Sequence, residues 1–369
     1  MGKILNPPFK CCSGESETER EEYRQETMLK KPEINDTKII KYLENIYGLR
    51  VDKIVFLPLG ADFNTFVYHV VAEGKKDYFL KLRQGDFFDA SVTVPKYLNT
   101  LGLQEVIPPI ETKLGHLWTN LGSFKVILYP YINGRNGGET KLSDPQWVQF
   151  GAIMKNLHSA DIPKSITNSI PKEEFSSKWL GVVQDFLVRI EGEDFSEPIA
   201  SKMALFLKSK SALISRLIMR TQELEFSLQK QSLDYILCHA DIHGWNLLMD
   251  KKEGLYLVDW DTLIFSPKER DLMFVGAGIH DTGRTQVEEE ELFYQGYGGT
   301  EINQDAITYY RLVRIIQDIG EYCTQIFLSH EGGEDRKQSL EYLQSNFLSN
   351  GTIERACAGD KIMCIKKKI

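Results

Sequence analysis

The chain has 369 residues, enough for two to three domains at roughly 150 residues each. Hydrophobic residues make up 42% and charged residues 26%, which excludes a disordered or fibrous chain and leaves material for a large core. Lys and Arg number 44 against 52 Asp and Glu, and the resulting net charge of −8 argues against a nucleic-acid binder while permitting a cationic small-molecule partner.

No apolar run reaches the roughly 18 residues of a membrane span. Pro7 and Pro8 interrupt the N-terminus before any signal-peptide core can form, and Asn6 stands where a myristoylation signal at Gly2 needs Ser or Thr. Cys11, Cys12, Cys238, Cys323, Cys357 and Cys364 show no regular spacing, so free thiols in a reducing, cytoplasmic setting are expected. Residues 1–27 are charge-dense and poor in apolar content. They are expected to form a tail, with Met28 as an alternative start.

From Asn35 or Asp36 as cap, Ile39, Ile40, Leu43, Ile46 and Tyr47 recur at helical spacing up to Gly48. The period then changes to two, and strands are predicted at 53–59, 65–72 and 77–82. A helix near 89–101 and strands at 113–118 and 124–129 complete a small lobe over 28–132, ending in the connector YPYINGRNGG. Over 133–350 the pattern is mostly helical. Asp144 is placed as cap of a helix begun by Pro145, and further helices are predicted at 176–191, 196–229, 288–296 and 304–328. Glu288–Glu291 reads as a solvated helix face. Short strands are predicted at 235–239, 246–250 and 255–259, and residues 351–369 read as a second tail. The fold class is therefore α+β, two-lobed, with a small sheet-containing N-terminal lobe and a larger helical one.

The informative stretch is CHADIHGWNLLMDKKEGLYLVDWD. It holds His239, Asp241 and Asn246 as H-x-D-x-x-x-x-N, with Asp259 eighteen residues beyond Asp241, and Lys81 lies upstream in the strand DYFLKL. Phosphoryl transfer needs this set, because a loose transition state leaves the protein chiefly to position groups and neutralise charge. Asp241 would orient the acceptor hydroxyl and take its proton. Asn246 and Asp259 are oxygen ligands that suit Mg²⁺ better than zinc. Lys81 would grip the nucleotide phosphates from the other lobe. His239 reads as a residue that steadies the loop, and His243 as a satisfied loop histidine.

These motifs resemble the aminoglycoside phosphotransferase and choline kinase superfamily, whose fold is protein-kinase-like. CHADIHGWNLL, VDWD, SPKERDLMFVGAG and FYQGYG are most similar to its spectinomycin phosphotransferase branch, and the likeness runs from about Met28 to Phe347. The resemblance implies the same roles for Asp241, Asn246, Asp259 and Lys81. It further implies an adenine pocket at Tyr129, Pro130, Tyr131 and Ile132, and a structural Asp271. The glycine loop is degenerate: LGADFNTF keeps Gly60, so phosphate contacts fall to Asn64, Thr65 and nearby amides. Ala240 stands where glycine is common, and Asp89 is the nearest ion-pair partner for Lys81 on the following helix.

An ATP-dependent kinase (GTP being the alternative nucleotide) that modifies a hydroxyl of spectinomycin or a related aminocyclitol or aminoglycoside is the first functional expectation. Asp318 and Glu321, three apart on a helix, with Trp245 and Asp261, are the candidate contacts to its protonated amines. A metabolic kinase of choline, homoserine or methylthioribose would use the same four residues. A protein kinase is disfavoured, since only twelve residues separate Asp259 from Asp271 and HRD, DFG and APE are absent. A pseudokinase-like binding module would be expected to lack one of the four. Neither nucleic acid nor membrane is an expected partner, and the oligomeric state stays open.

Overall fold

The computed structural model describes residues 31–58, 64–277, 282–329, 333–349, 351–358 and 360. Gly60 and the N-terminal tail lie outside them. Asn35 caps the first helix, α1 (Asp36–Tyr47), by accepting the Thr37 N–H, and Gly48 ends it in a left-handed conformation at φ 73°. Three antiparallel strands follow, β1 (Val51–Leu57), β2 (Thr65–Ala72) and β3 (Lys76–Arg83). Next come α2 (Ala90–Thr100), β4 (Thr119–Leu121) and β5 (Phe124–Pro130), giving a five-stranded sheet in the order β1-β2-β3-β5-β4. The strand predicted at 113–118 is instead a turn, closed by the Thr112 N–H on the His116 carbonyl at 2.8 Å.

Alternation decides what each face of this sheet does. Tyr68, Val70, Leu80, Leu82, Val126 and Leu128 bury one face against Ile39 and Leu43 of α1. The odd-numbered residues of β3, Phe79, Lys81 and Arg83, must then point the other way. Pairing of Phe79 with Tyr129 and of Lys81 with Ile127 puts Tyr129 on that same outer face.

Beyond the connector the chain forms β6 (Gly134–Asn136), α3 (Asp144–His158), α4 (Lys164–Thr167), α5 (Lys178–Gly192) and the long α6 (Pro198–Leu228). Ser143, not Asp144, is the cap of α3; its N–H and hydroxyl both reach Gln146 Oε1, at 3.0 and 3.1 Å. Then follow β7 (Ile236–Cys238), β8 (Leu247–Asp250), β9 (Leu255–Leu257) and β10 (Ile264–Ser266). β6, β8 and β9 make one small sheet and β10 with β7 another. The remaining helices are α7 (Glu269–Leu272), α8 (Gln286–Tyr297), α9 (Gln304–Leu328), α10 (Gly333–Ser345) and α11 (Thr352–Ala358).

The large core is built on α9, which packs against α5, α6, α7, α10 and α11. α2 contributes Ala90, Val94 and Leu98 to this core rather than to the small lobe's own. α11 lies in the stretch read as tail, yet Ile353 and Ala356 are buried in the same core. The Glu288–Glu291 run is not wholly solvated either. Glu289 is 2% exposed, accepts the Gly276 N–H at 3.0 Å and bonds the Thr282 hydroxyl, because α8 turns that residue towards the chain leaving α7. Among the described residues, no helix is long and apolar enough to cross a membrane.

α3 and α8 touch backbone to backbone through Gly151 and Gly296. A Cβ on Gly151 would collide with the Phe293 carbonyl oxygen, and one on Gly296 with that of Val148. Gly296→Ala is therefore expected to cost about 1–3 kcal/mol of stability, since relief requires the helices to separate. Thermal unfolding checks this; an unchanged midpoint would contradict the close approach.

Candidate active site

β7 ends at Cys238, and the loop from His239 to Asn246 crosses to β8 through a single 3₁₀ turn, Gly244–Asn246. Asp271 of α7, fully buried, holds the start of that loop. Its Oδ2 accepts the His239 N–H at 2.9 Å, its Oδ1 accepts the Ala240 N–H at 2.6 Å, and His158 Nε2 lies 3.0 Å away. Burial raises the Asp271 carboxyl pKa, but the hydrogen bond and charge of His158 outweigh it and leave the group below its ordinary value. Ala240 is thereby kept at φ 67°, a left-handed conformation that glycine adopts without strain. His239 Nε2 meets the Val258 carbonyl at 3.0 Å, and its ring packs on Trp260.

Asp241 follows, 6% exposed. Its Oδ1 lies 3.0 Å from Arg314 Nη1, and its Oδ2 lies 3.4 Å from His243 Nε2. Burial pushes the Asp241 pKa up, yet His243, Arg314 and His239 together hold the carboxyl well below its usual range. The carboxylate is ionised at neutral pH.

Asn246 donates through Nδ2 to the Asp241 carbonyl at 2.8 Å, which turns its Oδ1 into the atom a hard cation would take. The Val258 N–H bonds the Asn246 carbonyl at 3.1 Å, so Asp259 emerges beside Asn246. Asp259 itself is left-handed, at φ 66°. Backbone held in this region for a non-glycine residue costs about 1–3 kcal/mol and concentrates at functional sites.

Lys81 reaches across from β3. Its Nζ lies 2.8 Å from Asp261 Oδ2 and 3.4 Å from Asp259 Oδ1, and Arg83 Nη1 is 2.7 Å from the same Asp261 oxygen. Burial lowers the Lys81 pKa, but the two carboxylates more than reverse this and keep the ammonium charged. Asp261 gains partners that the sequence did not show, and the expectation for Asp89 is corrected. Asp261, expected to face a substrate amine, is tied to the two cations of β3. Asp89, expected to pair with Lys81, instead accepts the Trp118 indole N–H at 2.5 Å, while the Lys81 ammonium is taken by Asp261 and Asp259.

The other predicted residues fall around this centre. The Asn64 carbonyl accepts the Gln84 N–H at 2.8 Å and Thr65 pairs with Arg83, so both stand at the mouth of β2 beside the cationic strand. Tyr129 shares the outer sheet face with Lys81. The half-buried Tyr131 stacks on His69 at 4.2 Å, and with Ile132 it leads from β5 into β6, where the chain passes between lobes. Trp245 packs against Gly138, where no side chain intervenes. Asp318 lies one turn from Arg314 on α9, with Oδ1 3.0 Å from its Nε, and Glu321 accepts from Gln317 at 2.8 Å.

Sequence reasoning missed Arg83, His158 and Arg314. Arg83 shares the parity of Lys81 on β3, a signal that was legible. Arg314 lies 73 residues from Asp241, and His158 lies 113 from Asp271, with no local motif. His158, Cys238 and Asp271 also place three potential metal-ligand atoms within 4.8 Å of one another. Each is already engaged: His158 Nδ1 meets the Tyr297 hydroxyl at 2.8 Å, and the Cys238 thiol, its pKa raised by burial, points at the Ser266 and Pro267 carbonyls. This is a structural network.

Residues 54–302 match the profile described as the phosphotransferase enzyme family. A spectinomycin phosphotransferase solved with ADP and spectinomycin is 33% identical, superposes with a TM-score of 0.82, and is matched over 89% of this chain and 99% of its own. The same enzyme bound to AMP gives 32% identity, a TM-score of 0.79, and coverage of 89% and 100%. A choline kinase from Streptococcus pneumoniae shares the fold at 14% identity and a TM-score of 0.51, over 89% and 99% of the two chains.

Proposed function

The chain belongs to the phosphotransferase enzyme family, with an alcohol group as phosphoryl acceptor, and we propose that it transfers the γ-phosphoryl group of ATP to a hydroxyl of an aminocyclitol antibiotic, spectinomycin first among them. One observation carries this reading. Lys81 from β3, Asp241 and Asn246 from the loop after β7, and Asp259 from beyond β9 meet at one centre, and the acids of α9 continue from Asp241 through Arg314.

In this reading Tyr129, Tyr131 and Ile132 border the adenine site, while Lys81 and the start of β2 at Asn64 and Thr65 meet the phosphates. The acceptor hydroxyl hydrogen-bonds Asp241. As the hydroxyl oxygen bonds to the γ-phosphorus and the bridging P–O bond to ADP breaks, the hydroxyl proton passes to the Asp241 carboxylate. A depressed pKa makes Asp241 a weak proton sink, which suits a loose transition state in which the proton moves late and orientation counts most.

Asn246 Oδ1 and the Asp259 carboxylate fit Mg²⁺: both are oxygen donors on adjacent backbone, with the Asn246 amide nitrogen committed elsewhere. Bound there, Mg²⁺ would neutralise charge on the β- and γ-phosphates. Burial raises the Asp259 pKa, Lys81 opposes this, and a divalent cation would favour the ionised form. Asp259→Asn should lower kcat/KM by about 100-fold, or ~2.7 kcal/mol, and weaken the Mg²⁺ dependence of ATP binding. Titration of ATP affinity against Mg²⁺ measures the second effect, and an unchanged dependence would remove Asp259 from the ligand set.

An ATP-consumption screen over spectinomycin, streptomycin, kanamycin, choline and homoserine tests the acceptor. Turnover with spectinomycin is expected. Turnover confined to choline or homoserine would overturn the antibiotic reading and leave the chemistry of the cleft in place.

A further inference from the structure

Arg314 is a side chain to which the reaction as written gives no part, yet it touches the residue at its centre. It stands on α9, only 18% exposed, and its guanidinium forks: Nη1 lies 3.0 Å from Asp241 Oδ1 and Nε lies 3.0 Å from Asp318 Oδ1. We propose that Arg314 is the positioning residue of the base, fixing the Asp241 carboxylate so that Oδ2 meets the acceptor hydroxyl and coupling that alignment to the α9 acids. The inference rests on the reading of Asp241 as base.

Three features support a role beyond neutralising charge. First, the planar guanidinium bridges two carboxylates at 3.0 Å each, so Asp318 anchors the arginine while Nη1 holds Asp241 Oδ1 in place. Second, the arginine takes Oδ1 alone, so Oδ2, which has His243 Nε2 at 3.4 Å, is the oxygen not held by the arginine and the one presented to an acceptor hydroxyl. Third, Asp318 and Glu321 follow Arg314 by four and seven residues, on one face of the helix. An ammonium group bound by Asp318 would share that carboxylate with Arg314. Substrate binding would then act on the base through a single side chain, and an acceptor with a cation near its hydroxyl would be favoured over a neutral alcohol.

Arg314→Ala and Arg314→Lys, assayed with whichever acceptor the wild type turns over, test this. Arg314→Ala is expected to lower kcat about 10–100-fold while KM for ATP stays within about twofold, the signature of a misplaced catalytic group. Millimolar guanidinium should restore at least about tenfold of that loss and leave the wild type unchanged; loss of bulk stability would not respond in this way. Arg314→Lys should fall between, because a lysine keeps the charge but lacks the planar, fixed set of donors that the guanidinium aims at both carboxylates. The Arg314→Ala/Asp318→Asn double variant should lie near the worse single variant in kcat, since the two act as a unit.

Undiminished kcat in Arg314→Ala overturns the proposal, as does a loss that guanidinium leaves untouched while ATP still binds. If Arg314→Ala no longer binds ATP, Arg314→Lys decides: reduced kcat at unchanged KM for ATP upholds it, and wild-type kcat overturns it. A wild type inactive with every acceptor overturns the proposal together with the reading beneath it.

Discussion

Asp241→Asn is expected to reduce kcat by about 10²–10⁴-fold, the range general-base groups contribute, while ATP binds within about twofold of wild type. The isosteric amide keeps the shape of the site and removes the charge. An amide oxygen can still accept from Arg314, but it cannot take up the proton that the acceptor hydroxyl must lose. The nucleotide is held elsewhere, by Lys81 and the outer face of the β2–β3–β5 sheet, so its affinity should survive. Steady-state kinetics with a separate ATP titration distinguishes the two effects. Turnover near wild type would remove Asp241 as base, and a parallel loss of ATP binding would show that the substitution acts on the fold.

Asp271→Ala should act the other way round, on stability first and activity in consequence. Removing the carboxylate orphans two buried backbone N–H groups, those of His239 and Ala240, and takes a partner from His158. An unsatisfied buried donor costs about 1–3 kcal/mol, so a total of about 3–5 kcal/mol is expected. Ala240 would also be released from its left-handed conformation, and Asp241 with it. Because the folded pKa of Asp271 is depressed, its contribution is present above the unfolded carboxyl pKa of about 3.9 and is lost as pH falls through the lower folded value. Urea unfolding across pH should thus show a smaller acid-side loss in the variant than in the wild type. An equal loss in both would assign the acid sensitivity to other groups.

Much of the fold was legible because it is written locally. Strand β2 occupies Thr65–Ala72 and α9 occupies Gln304–Leu328, as their periodicities predict, since each carries its apolar pattern along its length. The elements that escaped are short and depend on distant partners. Gly134–Asn136 reads as a connector until β8 pairs with it, and Ile264–Ser266 becomes a strand only against β7, 28 residues earlier in register. Three residues carry too little pattern to be seen alone. The burial of Glu289 is of the same kind, decided by how α8 meets the chain near Gly276.

The candidate site divides along the same line. His239, Asp241, Asn246 and Asp259 lie within 21 residues, so their chemistry could be read together from the sequence. Lys81 was readable as a charge in a strand. That it points into the cleft follows only once Leu80 and Leu82 are seen to be buried beneath α1. The partners of Asp261 and Asp89 were not legible for one reason: a carboxylate pairs with whichever donor the tertiary fold brings near it.

The sequence by itself determined the two-lobed α+β class, most of the long elements and the carboxylate–amide set suited to phosphoryl transfer, because periodicity and close spacing are local properties. Tertiary structure alone decided the partners: Asp271 beneath the loop, Asp261 between Lys81 and Arg83, and Arg314 on the base. The physical reason is that a hydrogen bond or ion pair acts over about 3 Å of space and is indifferent to the number of residues between its ends. The acid excess noted at the outset matters in the same way, through the few carboxylates that packing turns towards one cleft.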